Sequence, residues 1–227
     1  MDDHLHEQAT QLVTDEELIE LEDIGHTIHR SAGHPFFLEG EHGDFALLIK
    51  KGHVKAVRGK PPRIVDVRGP GEFVGEMAVI RRQPRSASII AFSDVEALYL
   101  PAARWLRYLY EHPRAMHAQW IASADRTDRA IRLIVESELA VGQQLAKALI
   151  ELTEKGCGEH IGAGAVVLRD VSQYDLASLI GTKKLDSVKK IIRALKALSI
   201  VDTGRQVITI TNLAALREVA DGLVTVS

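Results

Sequence analysis

Hydrophobic and polar positions divide the chain into stretches of different texture. Residues 9–24 predict a short helix: Thr14 with Glu17 forms a capping box, and Leu18, Ile19 and Leu21 supply an apolar side. From about 25 to 100, short apolar runs (FALLI at 45–49, IVDV at 64–67, SASIIAF at 86–92, VEALYL at 95–100) alternate with the turns EGEHGD, KKGH, GKPP and RGPGE. Short strands broken this often predict an all-β barrel or roll. From about 102 to 155 Gly and Pro become sparse. Pro113, at home in a first turn, predicts a helix start. Trp120, Ile121, Ala124, Thr127, Ile131, Ile134, Val135 and Leu139 then recur at threes and fours, one face of a long helix. A second helix is predicted over about 141–155, ended by Gly156.

Beyond it, GCGEHIGAG reads as a loop and VVL at 166–168 as a short strand. Ser172 with Asp175 caps the helix QYDLASLI, which Gly181 breaks. Asp186 or Ser187 caps the next helix, whose apolar stripe is Val188, Ile191, Ile192, Leu195 and Leu198. VDTGRQVITI predicts a hairpin around Thr203-Gly204, and residues 212–222 a closing helix.

Composition narrows the class. With 46% hydrophobic and 26% charged residues, a folded core is the expectation rather than disorder. No apolar run approaches the ~18 residues of a membrane span, and the acidic N-terminus is unlike a signal peptide. The expectation is a cytoplasmic protein with no membrane partner. Cys157 is the only cysteine, which excludes an intrachain disulfide and a four-cysteine iron–sulfur cluster. The net charge is −3, but unevenly spread: residues 1–24 hold nine acids and no Lys or Arg. Residues 183–196 hold Lys183, Lys184, Lys189, Lys190, Arg193 and Lys196 against Asp186 alone. A local basic patch on an acidic chain is the footprint of a dedicated nucleic-acid surface. His4, His26, His29, His34, His42 and His53 lack a carboxylate or cysteine at ligand spacing, so no metal is expected. No nucleophile elbow, Walker loop or paired catalytic carboxylates are present, so no enzyme is expected.

The most specific segment is GEFVGEMAVIRRQPRSA, residues 71–87. A cyclic phosphodiester carries one negative charge and a ribose 2′-hydroxyl. Gly75 lets backbone approach, and the Glu76 carboxylate beside it can accept a hydrogen bond from that hydroxyl. Arg85 can neutralise the phosphate, with Ser86 and the backbone N–H groups of a tight turn completing a cradle. The segment resembles the phosphate-binding cassette of cyclic-nucleotide-binding domains, as found in Crp/Fnr regulators, protein kinase A regulatory subunits and cyclic-nucleotide-gated channels. EGEHGD at 39–44, the GHVK turn at 52–55 and DVEALYLP at 94–101 extend the match. The resemblance implies that Gly75, Glu76, Met77, Ala78, Arg85, Ser86 and Ala87 bind a cyclic mononucleotide, cAMP favoured. Thr127 on the long helix is the nearest match to the residues that touch the base.

Residues 172–198, SQYDLASLIGTKKLDSVKKIIRALKAL, resemble the helix-turn-helix of the same superfamily, with Ala177 at a close helix contact and Gly181 in the turn. The second helix of such a motif enters the major groove. The resemblance implies DNA contact by Lys183, Lys184, Asp186, Ser187, Lys189, Lys190 and Arg193. Anchored on Val188, Leu185 replaces the family's first arginine, Asp186 its glutamate and Lys190 its second arginine, and the turn is one residue longer.

The implied architecture is α+β: a cyclic-nucleotide-binding β-roll with its N-terminal helix (1–112), a long dimerisation helix (113–139) and a winged helix-turn-helix (140–227). The implied function is a homodimeric, cyclic-nucleotide-responsive regulator on a palindromic operator, with RNA polymerase as a further partner. Two other readings stay open: a ligand-independent DNA binder, and a nucleotide-sensing interaction module that has lost DNA binding.

Overall fold

The computed structural model describes residues 12–162 and 164–226. They fall into two compact units. The first runs up to Val54 and resumes over Arg68–Leu133; the second combines Lys55–Val67 with the chain from Ile134 on.

In the first unit, helix α1 (Asp15–Ile24) opens on the expected capping box. The Glu17 amide donates to Thr14 Oγ1, and the Thr14 amide donates to the Glu17 carboxylate at 3.0 Å. The helix is shorter than the 9–24 expected: it starts at Asp15, and residues 9–11 lie outside the described part. Leu21 is buried, whereas Ile19, expected on the inner side, is exposed. Ile19 lies two positions from Leu21, which on a helix is nearly the opposite face.

The strands are β1 (His26–Arg30), β2 (Pro35–Phe37), β3 (Phe45–Lys51), β4 (Val54–Arg58), β5 (Arg63–Arg68), β6 (Phe73–Val74), β7 (Ser88–Ala91) and β8 (Val95–Pro101). They make two four-stranded sheets of order β1-β8-β3-β6 and β2-β7-β4-β5. Registers such as Leu48↔Leu98 and Ala46↔Leu100 bring apolar side chains of neighbouring strands together. A short helix α2 (Glu76–Arg81) follows β6, and α3 (Ala102–Glu111) follows β8. The core gathers Leu21, Leu48, Phe73, Leu98, Leu100 and Trp105, with the Phe73 and Trp105 rings 5.5 Å apart. This is the β-roll expected from the strand spacing.

The long helix α4 (Pro113–Glu136) begins at Pro113 as expected. Its buried residues are Ala115, Ala118, Gln119 and Ala122. Trp120, Ile131, Ile134 and Val135 face outward. The helix stops at Glu136, so Leu139 lies beyond the stripe it was expected to continue.

Besides most of β4 and β5, the second unit holds α5 (Val141–Glu154), β9 (Gly158–Ile161), β10 (Ala165–Arg169), α6 (Gln173–Leu179), α7 (Leu185–Ala197), β11 (Val201–Gly204), β12 (Val207–Ile210) and α8 (Leu213–Ala220). The sheet order is β11-β12-β10-β9. GCGEHIGAG is not a plain loop: residues 158–161 pair with β10. β9 is a mostly exposed edge strand, so it carries no apolar alternation to announce it. The wing turn lies at Arg205-Gln206, two residues past the expected site, with Gly204 paired to Val207. Register decides this, because pairing Val201 with Ile210 places two buried side chains opposite one another.

Candidate effector site and nucleic-acid interface

The cassette is built on a turn that glycine alone enters cheaply. Gly75 precedes α2 with φ of 78°, in the left-handed region. α2 then presents Glu76 and Ala78 inward, both buried, with Met77 half-buried. The return to β7 is stitched to the EGEHGD loop: the Arg85 amide donates to the Glu41 carbonyl at 2.8 Å, and the Gly40 amide donates to the Arg85 carbonyl at 2.9 Å. Ser86 is exposed and Ala87 half-buried.

Arg85 is only 2% exposed. Its Nη1 donates to the Gly75 carbonyl at 2.8 Å and its Nη2 to the Phe45 carbonyl at 2.9 Å. The guanidinium lies between two aromatic rings, 4.1 Å from the Phe37 centroid and 4.4 Å from that of Phe45. Gly43 and Gly75 leave it room, since a Cβ on either would run into it. Among the described residues its Nε has no hydrogen-bond partner. Burial pulls its pKa below the ordinary arginine value, opposed by the charges of Asp44 and Glu76. The phosphate-facing arginine of the sequence reading is therefore a buried cation bonded to neutral carbonyls, with an orphaned donor.

Glu76 is 4% exposed and pairs with Arg126 of α4 at 3.0 Å. Arg126 is absent from the sequence reading, although a signal existed. The buried row Ala115, Ala118, Ala122 advances by threes and fours, and its next member is Arg126. Thr127, one residue on, is exposed, and its hydroxyl donates to the Ser123 carbonyl at 3.1 Å. Among the described residues it is not joined to the cassette. A neighbouring cleft of about 910 Å³ shares Gly43 and Ala78 with the cassette but is lined by neither Glu76 nor Arg85.

In the second unit, the Ser172–Asp175 capping box opens α6 as expected. The Asp175 amide donates to Ser172 Oγ at 3.1 Å and the Ser172 amide to Asp175 Oδ2 at 3.0 Å. Gly181 turns the chain with φ of 68°. α7 then starts one to two residues earlier than either expected cap. Its N-cap position is Lys184, without a side-chain cap bond; Asp186 sits instead in the first turn, where its charge suits the helix N-terminus. Val188, Ile191, Ile192 and Leu195 are buried, whereas Leu198, expected in this stripe, lies past the helix end and is exposed.

Lys183, Lys184, Asp186, Lys190 and Arg193 are exposed, with Ser187 and Lys189 half-buried beside them. Lys189 reaches Asp186 at 3.5 Å. Lys196, part of the basic run, is instead drawn to Asp202 of β11 at 2.6 Å, which holds that carboxyl below its ordinary range. Among the described residues there is no cluster of metal ligands and no helix long and apolar enough to cross a membrane.

Residues 27–112 match the family model of the cyclic nucleotide-binding domain, and residues 143–219 that of the Crp-like helix-turn-helix domain. The chain is 30% identical to the cyclic AMP receptor protein of Thermus thermophilus over 195 residues, covering 84% of this chain and 86% of the relative. The chain belongs to the Crp/Fnr superfamily. A CRP-like cAMP-activated global transcriptional regulator of Mycobacterium tuberculosis is 26% identical over 156 residues, 67% of this chain and 69% of the relative. A solved Crp/Fnr-family regulator of Thermus thermophilus superposes with a TM-score of 0.69 at 25% identity, covering 86% of this chain and 98% of that one. The c-di-GMP-responsive global regulator CLP of Xanthomonas campestris shares the fold, with a TM-score of 0.73 at 20% identity over 86% of this chain and 99% of its own. As a Crp/Fnr member the chain is a cyclic-nucleotide-binding transcription regulator and not an enzyme.

Proposed function

We propose that the effector is a cyclic mononucleotide, with cAMP favoured, and that the chain acts as a homodimer on a palindromic DNA duplex. The observation that carries the effector reading is Arg85. Among the described residues this buried guanidinium pairs with no carboxylate and keeps one orphaned N–H, an arrangement that favours an added anion. A singly charged phosphodiester supplies that anion, and Glu76 beside it offers an acceptor for a ribose hydroxyl. The names of the Thermus and Mycobacterium relatives, a cyclic AMP receptor protein and a cAMP-activated regulator, point to cAMP among such ligands.

Gly75, Glu76, Met77, Ala78, Arg85, Ser86 and Ala87 form the cradle, and Arg126 holds Glu76 in place. A nucleotide bound against Glu76 competes with Arg126 for the same carboxylate, which links the cradle to α4. A shift between two arrangements of that helix is then the means by which binding alters the DNA-reading surface. Lys183, Lys184, Lys190 and Arg193 supply phosphate contacts, with Asp186, Ser187 and Lys189 at the same helix end.

Calorimetric titration with cAMP and cGMP tests the effector reading. The wild type binds cAMP, and Arg85→Ala loses about 2–5 kcal/mol of binding free energy, as expected when a buried charged contact is truncated. Equal binding by both proteins, or binding by neither, defeats the assignment.

A further inference from the structure

We propose that Arg63, the first residue of β5 in the β4–β5 hairpin, is a DNA-phosphate contact supplied from outside the helix-turn-helix. The proposal rests on the reading that the chain binds duplex DNA, and adds to the interface a residue far from it in sequence. Residues 55–63, KAVRGKPPR, hold Lys55, Arg58, Lys60 and Arg63 and no acid. Three polar contacts fasten this hairpin within the second unit. Lys55 Nζ meets Asp175 Oδ1 at 2.7 Å, the Ile64 amide donates to Ser178 Oγ at 2.7 Å, and Lys155 Nζ meets Asp66 Oδ1 at 3.0 Å. Asp175 and Ser178 are three residues apart on α6, so one turn of that helix is gripped at two points.

The grip sets Arg63 against the turn between α6 and α7. Its guanidinium fills the space that a Cβ on Gly181 would take. Arg63 is exposed, and among the described residues no carboxylate or carbonyl pairs with it. The turn it touches continues into exposed Lys183 and Lys184, with no acid before Asp186, which is itself drawn to Lys189. Arg63, Lys183 and Lys184 are thus gathered at the point where α7 begins, and among the described residues no acid pairs with these three. Gathering them opposes folding of the free protein, and a polyanionic backbone offsets that repulsion. A planar, permanently charged guanidinium suits a phosphate better than an ammonium does. A purely structural role is the contrast: a cation at the C-terminal end of α6 also suits the helix dipole.

Equilibrium binding to a labelled random-sequence duplex, measured across a salt series, separates the two. For wild type the logarithm of affinity falls steeply with the logarithm of salt. Arg63→Ala flattens that slope by about 0.9, the share of one phosphate contact, whereas Arg63→Lys retains it. An unchanged slope for Arg63→Ala, with a lowered melting temperature, assigns Arg63 to the helix end and overturns the proposal. Arg193→Ala, measured alongside, shows whether α7 itself is on the DNA. If Arg193→Ala flattens the slope and Arg63→Ala does not, only the Arg63 proposal fails. If the wild type binds no duplex at any salt, the DNA-binding reading falls and Arg63 with it.

Discussion

The guanidinium of Arg85 is held by shape as much as by charge. Phe37 and Phe45 flank it, and the two glycines beside it give up their side chains to make room. Gly75 also needs its left-handed backbone, so a substitution there mixes two effects. Gly43 does not adopt such a backbone, so Gly43→Ala isolates the contact with Arg85. The added methyl must push the end of the arginine side chain aside. The expected outcome is an affinity for cAMP reduced by about tenfold, ~1.4 kcal/mol, with the melting temperature nearly unchanged. Calorimetry and thermal unfolding of the variant check it, and unchanged affinity would show that the guanidinium position does not matter to the ligand. Arg126 shows the same dependence on placement: one residue from Thr127, it is turned about 100° around the helix and meets Glu76, while Thr127 faces out.

At the scale of elements, α4 carries two faces with different chemistry. The inner face is a row of alanines, which lets the helix lie close to what it covers. The outer face exposes Trp120 (75%), Ile131 (56%), Ile134 (70%) and Val135 (67%), large apolar groups that a lone helix would hide. Pairing with a second copy through a two-fold axis covers this stripe on both chains at once. Sedimentation at micromolar concentration is expected to show a dimer for wild type, and a shift toward monomer for Ile131→Asp, which sets two carboxylates into the seam. A wild-type monomer with and without nucleotide contradicts the pairing. α7 makes the opposite case: its outer face is charged, and its apolar stripe is spent on its own unit.

At the scale of the whole molecule, stability depends on pH through charges that tie the roll together. Lys50 of β3 meets Glu22 of α1 at 2.7 Å and Glu96 of β8 at 3.2 Å. The hydrogen bond to Glu22 raises Lys50 above its ordinary value, and the hydrogen bond from Lys50 holds Glu96 below the usual carboxylate range. The depressed Glu96 contributes stability above its unfolded value of about 4.3, which is lost as pH falls through the lower folded value. The raised Lys50 contributes below about 10.4, and that is lost as pH rises through the higher folded value. Urea midpoints followed across pH should therefore fall in both directions, and Lys50→Met should flatten both arms. An unchanged acid arm in that variant would show that Glu96 is not held by Lys50.

Local chemistry was enough for the elements with a strong period or a cap. The Thr14 and Ser172 capping boxes, the Pro113 helix start and the runs that became β3, β5, β7 and β8 were legible because each rests on neighbours a few residues away. The cassette and the basic helix were legible for the same reason, as contiguous segments with a chemical logic. What tertiary structure alone decided involves partners distant in the chain. The edge strand β9 has no apolar period, and only pairing with β10 makes it a strand. Arg85 became a buried cation through Phe37, Gly43 and Phe45, some 40 residues before it, and Glu76 met its arginine 50 residues later. Burial of a charge depends on what folds over it, and a linear pattern of residue types does not hold that information.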